Sequence, residues 1–156
     1  VRDYTDFDYV DETMLRTGAL NDYKVLVIIA GPIMETADAR LIAKWIQKGG
    51  RLIVVDVPKF ESVEGTDEPE KLLSAGMVRV NGRDELASAL RDALQKLSLP
   101  VYDLKADGIF GTQIGPNRFL FLNTTDKEAI VPIEIKGKTT EAKIAAGTIT
   151  EVNSKR

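Results

Sequence analysis

Chemistry in this sequence has to come from carboxylates, because its 156 residues include no histidine and no cysteine. Without an imidazole, neither a Ser-His-Asp nor a Cys-His nucleophile pair can be built. Disulfides are excluded, and zinc would need the all-carboxylate shell that it seldom accepts. The best-placed acid is Asp56, at the end of the apolar run that begins at Arg51. Open α/β sheets put their ligand crevice at such strand ends. Gly31 and Pro58 close two neighbouring apolar runs, so Gly31, Asp56 and Pro58 are the candidate ligand-binding residues. The plainer reading of Asp56 is a carboxylate that accepts amides of the next loop. Spacing fixes no second acid near it, so no catalytic residue, metal ligand or cofactor is assigned.

Other motifs have bland explanations that outweigh the chemical ones. Glu61, Glu64, Asp67, Glu68 and Glu70 lie in the polar stretch 59–70 and could offer oxygens to calcium. They lack the alternating ligands and fixed glycine of an EF-hand, and a solvated acidic loop is the simpler account. Gly31-Pro32 and Gly49-Gly50 match neither GxGxxG nor the P-loop and read as turn punctuation. Trp45, Phe119 and Phe121 are candidate interface residues, since large aromatics anchor contacts. Trp45 also suits the edge of a buried helical stripe. Phe119 and Phe121, alternating with Leu120 and Leu122, suit a strand that is apolar on both faces. A sugar-stacking role for these two and Phe110 is the weaker reading. Asn123-Thr-Thr125 fits the N-glycosylation pattern, which matters only in a secreted eukaryotic protein.

The elements that would position these residues change character along the chain. Lys24–Ala30 and Arg51–Val57 are β-branched apolar runs, the pattern of parallel strands buried on both faces. Between them Ala39, Ile42, Ala43 and Ile46 mark one face of a helix over 36–48, with Thr36 as its expected cap and Gly49-Gly50 as its stop. Strand, helix and strand make a βαβ unit, whose crossover is right-handed in nearly all cases. A short helix at 69–75, a strand at 77–80 and a helix opening at Asn81-Gly82 follow, the last with Leu86, Leu90, Ala93, Leu94 and Leu97 on one face. Beyond about 98–101 short strands at 108–114, 118–123, 129–135 and 142–152 alternate with turns, as in an antiparallel β-module. Phe7, Tyr9 and Val10 suit a leading strand, with a helix or turn at 13–20. A doubly wound sheet normally opens with a central strand and helix before such an edge strand. An opening segment is therefore expected upstream, and apolar surface should be exposed without it.

Three stretches taken in order, Asp6-Phe-Asp-Tyr-Val-Asp-Glu12, Leu20-Asn-Asp-Tyr-Lys-Val-Leu-Val27 and Ile42-Ala-Lys-Trp-Ile-Gln-Lys-Gly-Gly-Arg-Leu-Ile-Val54, resemble a class I glutamine-amidotransferase-like domain. The version they are most similar to is the accessory domain of family-42 β-galactosidases and related multidomain glycoside hydrolases. Gly111–Glu128 is similar to the small β-domain that follows it there. The resemblance implies a flavodoxin-like open, mostly parallel sheet over residues 1–99, truncated at its N-terminus. A small β-sandwich-like module over 100–156 would follow. It also implies a catalytic barrel elsewhere in the parent polypeptide and oligomer contacts made by the α/β domain. Amidotransferases carry a nucleophilic cysteine at the turn after the strand matching Leu52–Val55, where this sequence reads Asp56-Val57-Pro58. Glutaminase chemistry is thereby excluded.

The expected function is a non-catalytic accessory portion of a larger glycoside hydrolase, serving domain packing, oligomerisation or the framing of an active site built elsewhere. The alternative is a stand-alone α/β protein that binds a small ligand in the crevice near Asp56. Partners follow from the first reading: the remainder of the polypeptide with its catalytic barrel, and a homo-oligomer. A net charge of −3 argues against nucleic acid. No apolar run approaches the roughly 20 residues of a membrane-spanning helix.

Overall fold

A computed structural model describes residues 2–104 and 107–154. The fold is mixed α/β, and it divides into two compact units: residues 9–93, and residues 94–156 together with 1–8. The division falls a few residues before the expected 98–101, and the first eight residues belong with the β-rich unit.

The first unit is organised by a parallel sheet in the order β1 (Val25–Ile29), β3 (Arg51–Val55), β5 (Met77–Val80). Register runs from Val25 opposite Arg51 to Ile29 opposite Val55, and from Leu52 opposite Met77 to Val55 opposite Val80. Central β3 is buried from Leu52 to Val55, as its run of β-branched residues requires. On one face Leu52 and Val54 pack with Ala39, Ile42 and Trp45 of α2 (Thr36–Gln47) and with Leu73 of α3 (Glu68–Leu73). Ile53 and Val55 project to the other face by strand alternation and are equally buried. The edge strand β1 differs from the sequence expectation. Its residues are half-buried and Ile29 is exposed, because among the described residues the sheet continues on one side only. The 59–70 stretch also holds more order than a solvated loop: within it β4 (Glu61–Ser62) pairs in parallel with β2 (Ile33–Met34).

Helix ends follow local chemistry, with one departure. Thr36 is the first helical residue of α2 instead of its cap, a place taken by Glu35 without a side-chain bond. An ion pair stands nearby: the Arg16 guanidinium of α1 (Glu12–Arg16) donates twice to the buried Asp38 carboxylate, at 2.8 and 2.8 Å. At the far end Gly49 is left-handed (φ +100°), and the Gly50 amide reaches back to the Trp45 carbonyl. That is a Schellman-type stop. The Trp45 ring lies across Gly50, and its indole N–H donates to the Tyr23 carbonyl at 3.2 Å. Helix α4 (Gly82–Lys96) buries Leu86, Leu90, Ala93 and Leu94, as the spacing predicts. It ends at Ser98, which takes the left-handed position usually given to glycine.

In the second unit two three-stranded antiparallel sheets share one core. One runs β10 (Lys138–Ile144), β9 (Ala129–Ile135), β6 (Val101–Tyr102); the other β11 (Ile149–Asn153), β8 (Arg118–Asn123), β7 (Ile109–Gly115). Tyr102, Val131, Ile133 and Ile144 from the first meet Ile109, Phe119 and Phe121 from the second. Tyr102 stands edge-on to both Phe rings, at 6.4 and 5.8 Å between centroids. Gly111 leaves room for this cluster, since a Cβ there would lie 2.6 Å from the Phe121 ring. The single strand expected over 142–152 is two, β10 and β11, folded back at Gly147. Residues 7–10 form no strand. The chain just before them does the pairing, the carbonyls of Asp3 and Tyr4 accepting from the amides of Leu104 and Tyr102.

Gly50→Ala should destabilise the protein by about 1–3 kcal/mol, the usual cost of overpacking, because the new Cβ would meet the Trp45 ring at 2.3 Å. Thermal unfolding followed by Trp45 fluorescence checks this, and Gly115→Ala, where the backbone is likewise not left-handed and the nearest atom lies 3.5 Å away, serves as the control.

Candidate functional site

Parallel pairing brings the ends of β1 and β3 side by side, so the Gly31 turn and the Asp56–Pro58 turn occupy one edge of the sheet. Both strands leave it through left-handed backbone: Ala30 and Gly31 after β1 (φ +57° and +77°), and Asp56 after β3 (φ +55°). For Ala30 and Asp56 that conformation is costly, of order 1 kcal/mol or more, and the surroundings hold it in place. The Ala30 amide donates to the Val55 carbonyl, and the Asp56 amide to the Val80 carbonyl.

Turned this way, the Asp56 carboxylate accepts the Gly82 amide at 3.0 Å, at the first residue of α4. Helix starts leave free amides that acids satisfy well. Glu85 completes the cap by accepting the Asn81 amide at 2.7 Å, a variant of the capping box. Asp56 therefore fixes the start of a helix that lies 26 residues away in sequence. Gly31 and Pro58 are exposed beside it. The three predicted residues share one end of the sheet, but the only charged side chain among them already serves the backbone.

The loop after Asp56 is clamped by a pair that sequence spacing does not reveal. Glu70 accepts the Phe60 amide at 2.9 Å and the Arg79 guanidinium at 2.8 and 3.1 Å, while the Arg79 Nε donates to the Val57 carbonyl at 2.7 Å. Burial pushes the Glu70 carboxyl up, but the Phe60 amide and Arg79 outweigh it and hold its pKa below the ordinary 4.5. Three other acids of this stretch pair separately. Glu61 meets Lys59, Asp67 meets Lys71 and Glu68 meets Arg40. Among the described residues no group of three acids is placed to hold a metal ion.

The remaining candidates lie elsewhere. Trp45 is buried in the first core, and Phe119 and Phe121 are fully buried in the second. Asn123 is also fully buried, its amide nitrogen donating to the Lys127 and Ile144 carbonyls, so it orders the following turn and offers no surface for a glycan. Phe110 is partly exposed and stands in cross-strand register with Leu122, itself opposite Ile149, so the outer face of that sheet carries an apolar row. Asp6, unremarkable in sequence, accepts from Thr112 Oγ1, the Gln113 amide and the Tyr102 hydroxyl and straps the first residues to the β-unit.

The sequence matches no protein-family model, and no curated protein matches it. Among solved structures the chain is similar to the apo exo-carrageenase GH42 from Bacteroides ovatus, with a TM-score of 0.60 at 13% identity. The match covers 94% of this chain and 24% of that one, so the chain spans about a quarter of the carrageenase's length. The likeness is one of fold.

Two consequences of this geometry can be measured. Asp56→Ala should cost about 1–2 kcal/mol, through the lost cap and a left-handed backbone without compensation. Asp56→Gly should cost less, because glycine relieves the strain. Denaturant midpoints of the three proteins give the order. The depressed pKa of Glu70 means its stabilisation is complete above about pH 4.5 and is lost as pH falls through the lower folded value. Glu70→Gln should therefore be less stable than the parent at pH 7, with the gap closing as the pH is lowered towards 3, in paired unfolding curves.

Proposed function

We propose that this chain is a non-catalytic accessory portion of a larger glycoside hydrolase of the β-galactosidase-like kind. Its α/β unit serves as a flavodoxin-like domain that contributes to packing, oligomer contacts or the frame of an active site carried elsewhere, and its β-unit as the small domain that follows. The observation that carries this reading is the coverage of the structural match. Nearly the whole chain, α/β unit and β-unit in order, follows about a quarter of a GH42 exo-carrageenase. Local chemistry supports it. The chain has no histidine or cysteine to make a nucleophile pair, and its strand-end acid is engaged as a helix cap. The alternative, a stand-alone protein binding a small ligand at Gly31, Asp56 and Pro58, would need that carboxylate for the ligand. The partners of the accessory reading are the remainder of the polypeptide and further copies of it.

The purified 156-residue chain should turn over neither aryl glycosides nor glutamine, while the longer polypeptide hydrolyses a glycoside. Turnover by the short chain that survives repurification and disappears in Asp56→Asn would overturn the proposal.

A further inference from the structure

The two sheets of the second unit run past the core they share, and a cavity opens at that end. Along β10, alternation puts Lys138 and Thr140 on the same face as the buried Ala142 and Ile144. Along β9 it puts Ile135 on the face of the buried Val131 and Ile133. The inward face of this hairpin therefore changes from apolar to cationic and hydroxylic as it leaves the core. The other sheet contributes Asn117, in the turn between β7 and β8, and Ser154, just after β11; the Ser154 amide donates to the Asn117 carbonyl at 2.9 Å. Ser98 and Pro100, from the segment before β6, complete the lining. The space is about 620 Å3, in the range of small-molecule sites, and it lies wholly within one unit.

The polar groups that line it are unengaged. The side chains of Ser98, Asn117, Lys136, Lys138, Thr140 and Ser154 make no hydrogen bond or ion pair with another described residue. Ser154 is only 7% exposed, and a hydroxyl at that depth ordinarily has a partner. Among the described lining residues no acid balances the two ammonium groups. Lys136 also holds left-handed backbone (φ +51°) in a two-residue turn, set by Ile135 opposite Lys138, where asparagine is the favoured residue. Strain of this kind gathers where ligands are clamped.

We propose that this end of the β-unit binds an acidic sugar, a saccharide unit carrying a carboxylate, sulfate or phosphate. The lining specifies that chemistry. Two ammonium groups call for an anion. The hydroxyls of Ser98, Thr140 and Ser154 and the Asn117 amide both donate and accept, which matches a ligand with hydroxyls of its own. A bare sulfate ion only accepts, and it would leave most of the volume empty. Pro100 and Ile135 offer apolar surface to the C–H face of a ring. The site rests on these residues alone and not on the accessory reading.

Titration of the 156-residue chain with glucuronic acid, glucose-6-sulfate and glucose-6-phosphate, followed by residue-resolved NMR shifts, tests the proposal. At least one of the three should saturate with a Kd of about 1 mM or tighter and move the signals of Asn117, Lys136, Lys138 and Ser154. Glucose and inorganic sulfate should each bind at least about 10-fold more weakly. Lys138→Gln should weaken binding at least about 10-fold with the melting temperature unchanged. Lys136→Gly should weaken it too without lowering the melting temperature, since glycine takes left-handed backbone freely. Saturation by none of the acidic sugars, or binding that both lysine variants retain, would overturn the proposal. Equal binding of inorganic sulfate would make this a site for bare anions, and equal binding of glucose would remove the role of the lysines; either result overturns the acidic-sugar assignment. Any of these failures leaves the accessory reading standing, because that reading turns on the longer polypeptide.

Discussion

A parallel strand that is buried on both faces needs neighbours that hydrogen-bond both its edges and cover both its surfaces. In this protein that strand is β3, and most of the first unit follows from satisfying it. Its edges are met by β1 and β5, and one surface by α2 and α3 through Ala39, Ile42, Trp45 and Leu73. The requirement passes outward to these neighbours and is met unevenly. Arg79 puts a charge on β5 and ties that strand to Glu70 and to the loop after β3, whereas β1 reaches the edge with only apolar residues.

The same strand explains why the best chemical candidate in the sequence does structural work. Leaving β3, the chain turns through left-handed backbone at Asp56, which aims its carboxylate along the sheet edge at the start of α4. A strand-end carboxylate in an open α/β sheet can face a ligand or a helix start, and the free amides of a helix are always present to compete. The Gly82 amide takes the carboxylate, and the Glu70–Arg79 pair fixes the adjoining loop. Exposed apolar side chains include Ile29 at the end of β1 and the outer row of Phe110, Leu122 and Ile149.

Periodicity made much of the fold legible. The stripe of α2, the apolar run of β3, the strand at 77–80, the face of α4 and the strands from 109 to 135 all lie where side-chain spacing places them. What it could not show was position within a sheet. The runs of β1 and β3 look alike, yet one is an edge and the other is central. Lys138-Thr-Thr-Glu141 hid β10, since only Ala142 and Ile144 of that strand are buried, and the turn before it uses Lys136-Gly137, both left-handed, in place of a more familiar Asn-Gly. Of the candidate site, the grouping of Gly31, Asp56 and Pro58 was readable from strand ends. The partner of Asp56 was not, because it lies 26 residues away and depends on where α4 begins. Asp6 pairing with Thr112 and Gln113 across more than 100 residues left no local trace at all.

The central claim is that these residues are an accessory part of a larger glycoside hydrolase. The mass of the native polypeptide that carries them, measured in its source by mass spectrometry or with an antibody to this chain, tests it most directly. A polypeptide roughly four times the 17.2 kDa of this chain, in proportion to the 24% it covers of the carrageenase, is the predicted result. A stable native protein of about 17 kDa would contradict the account.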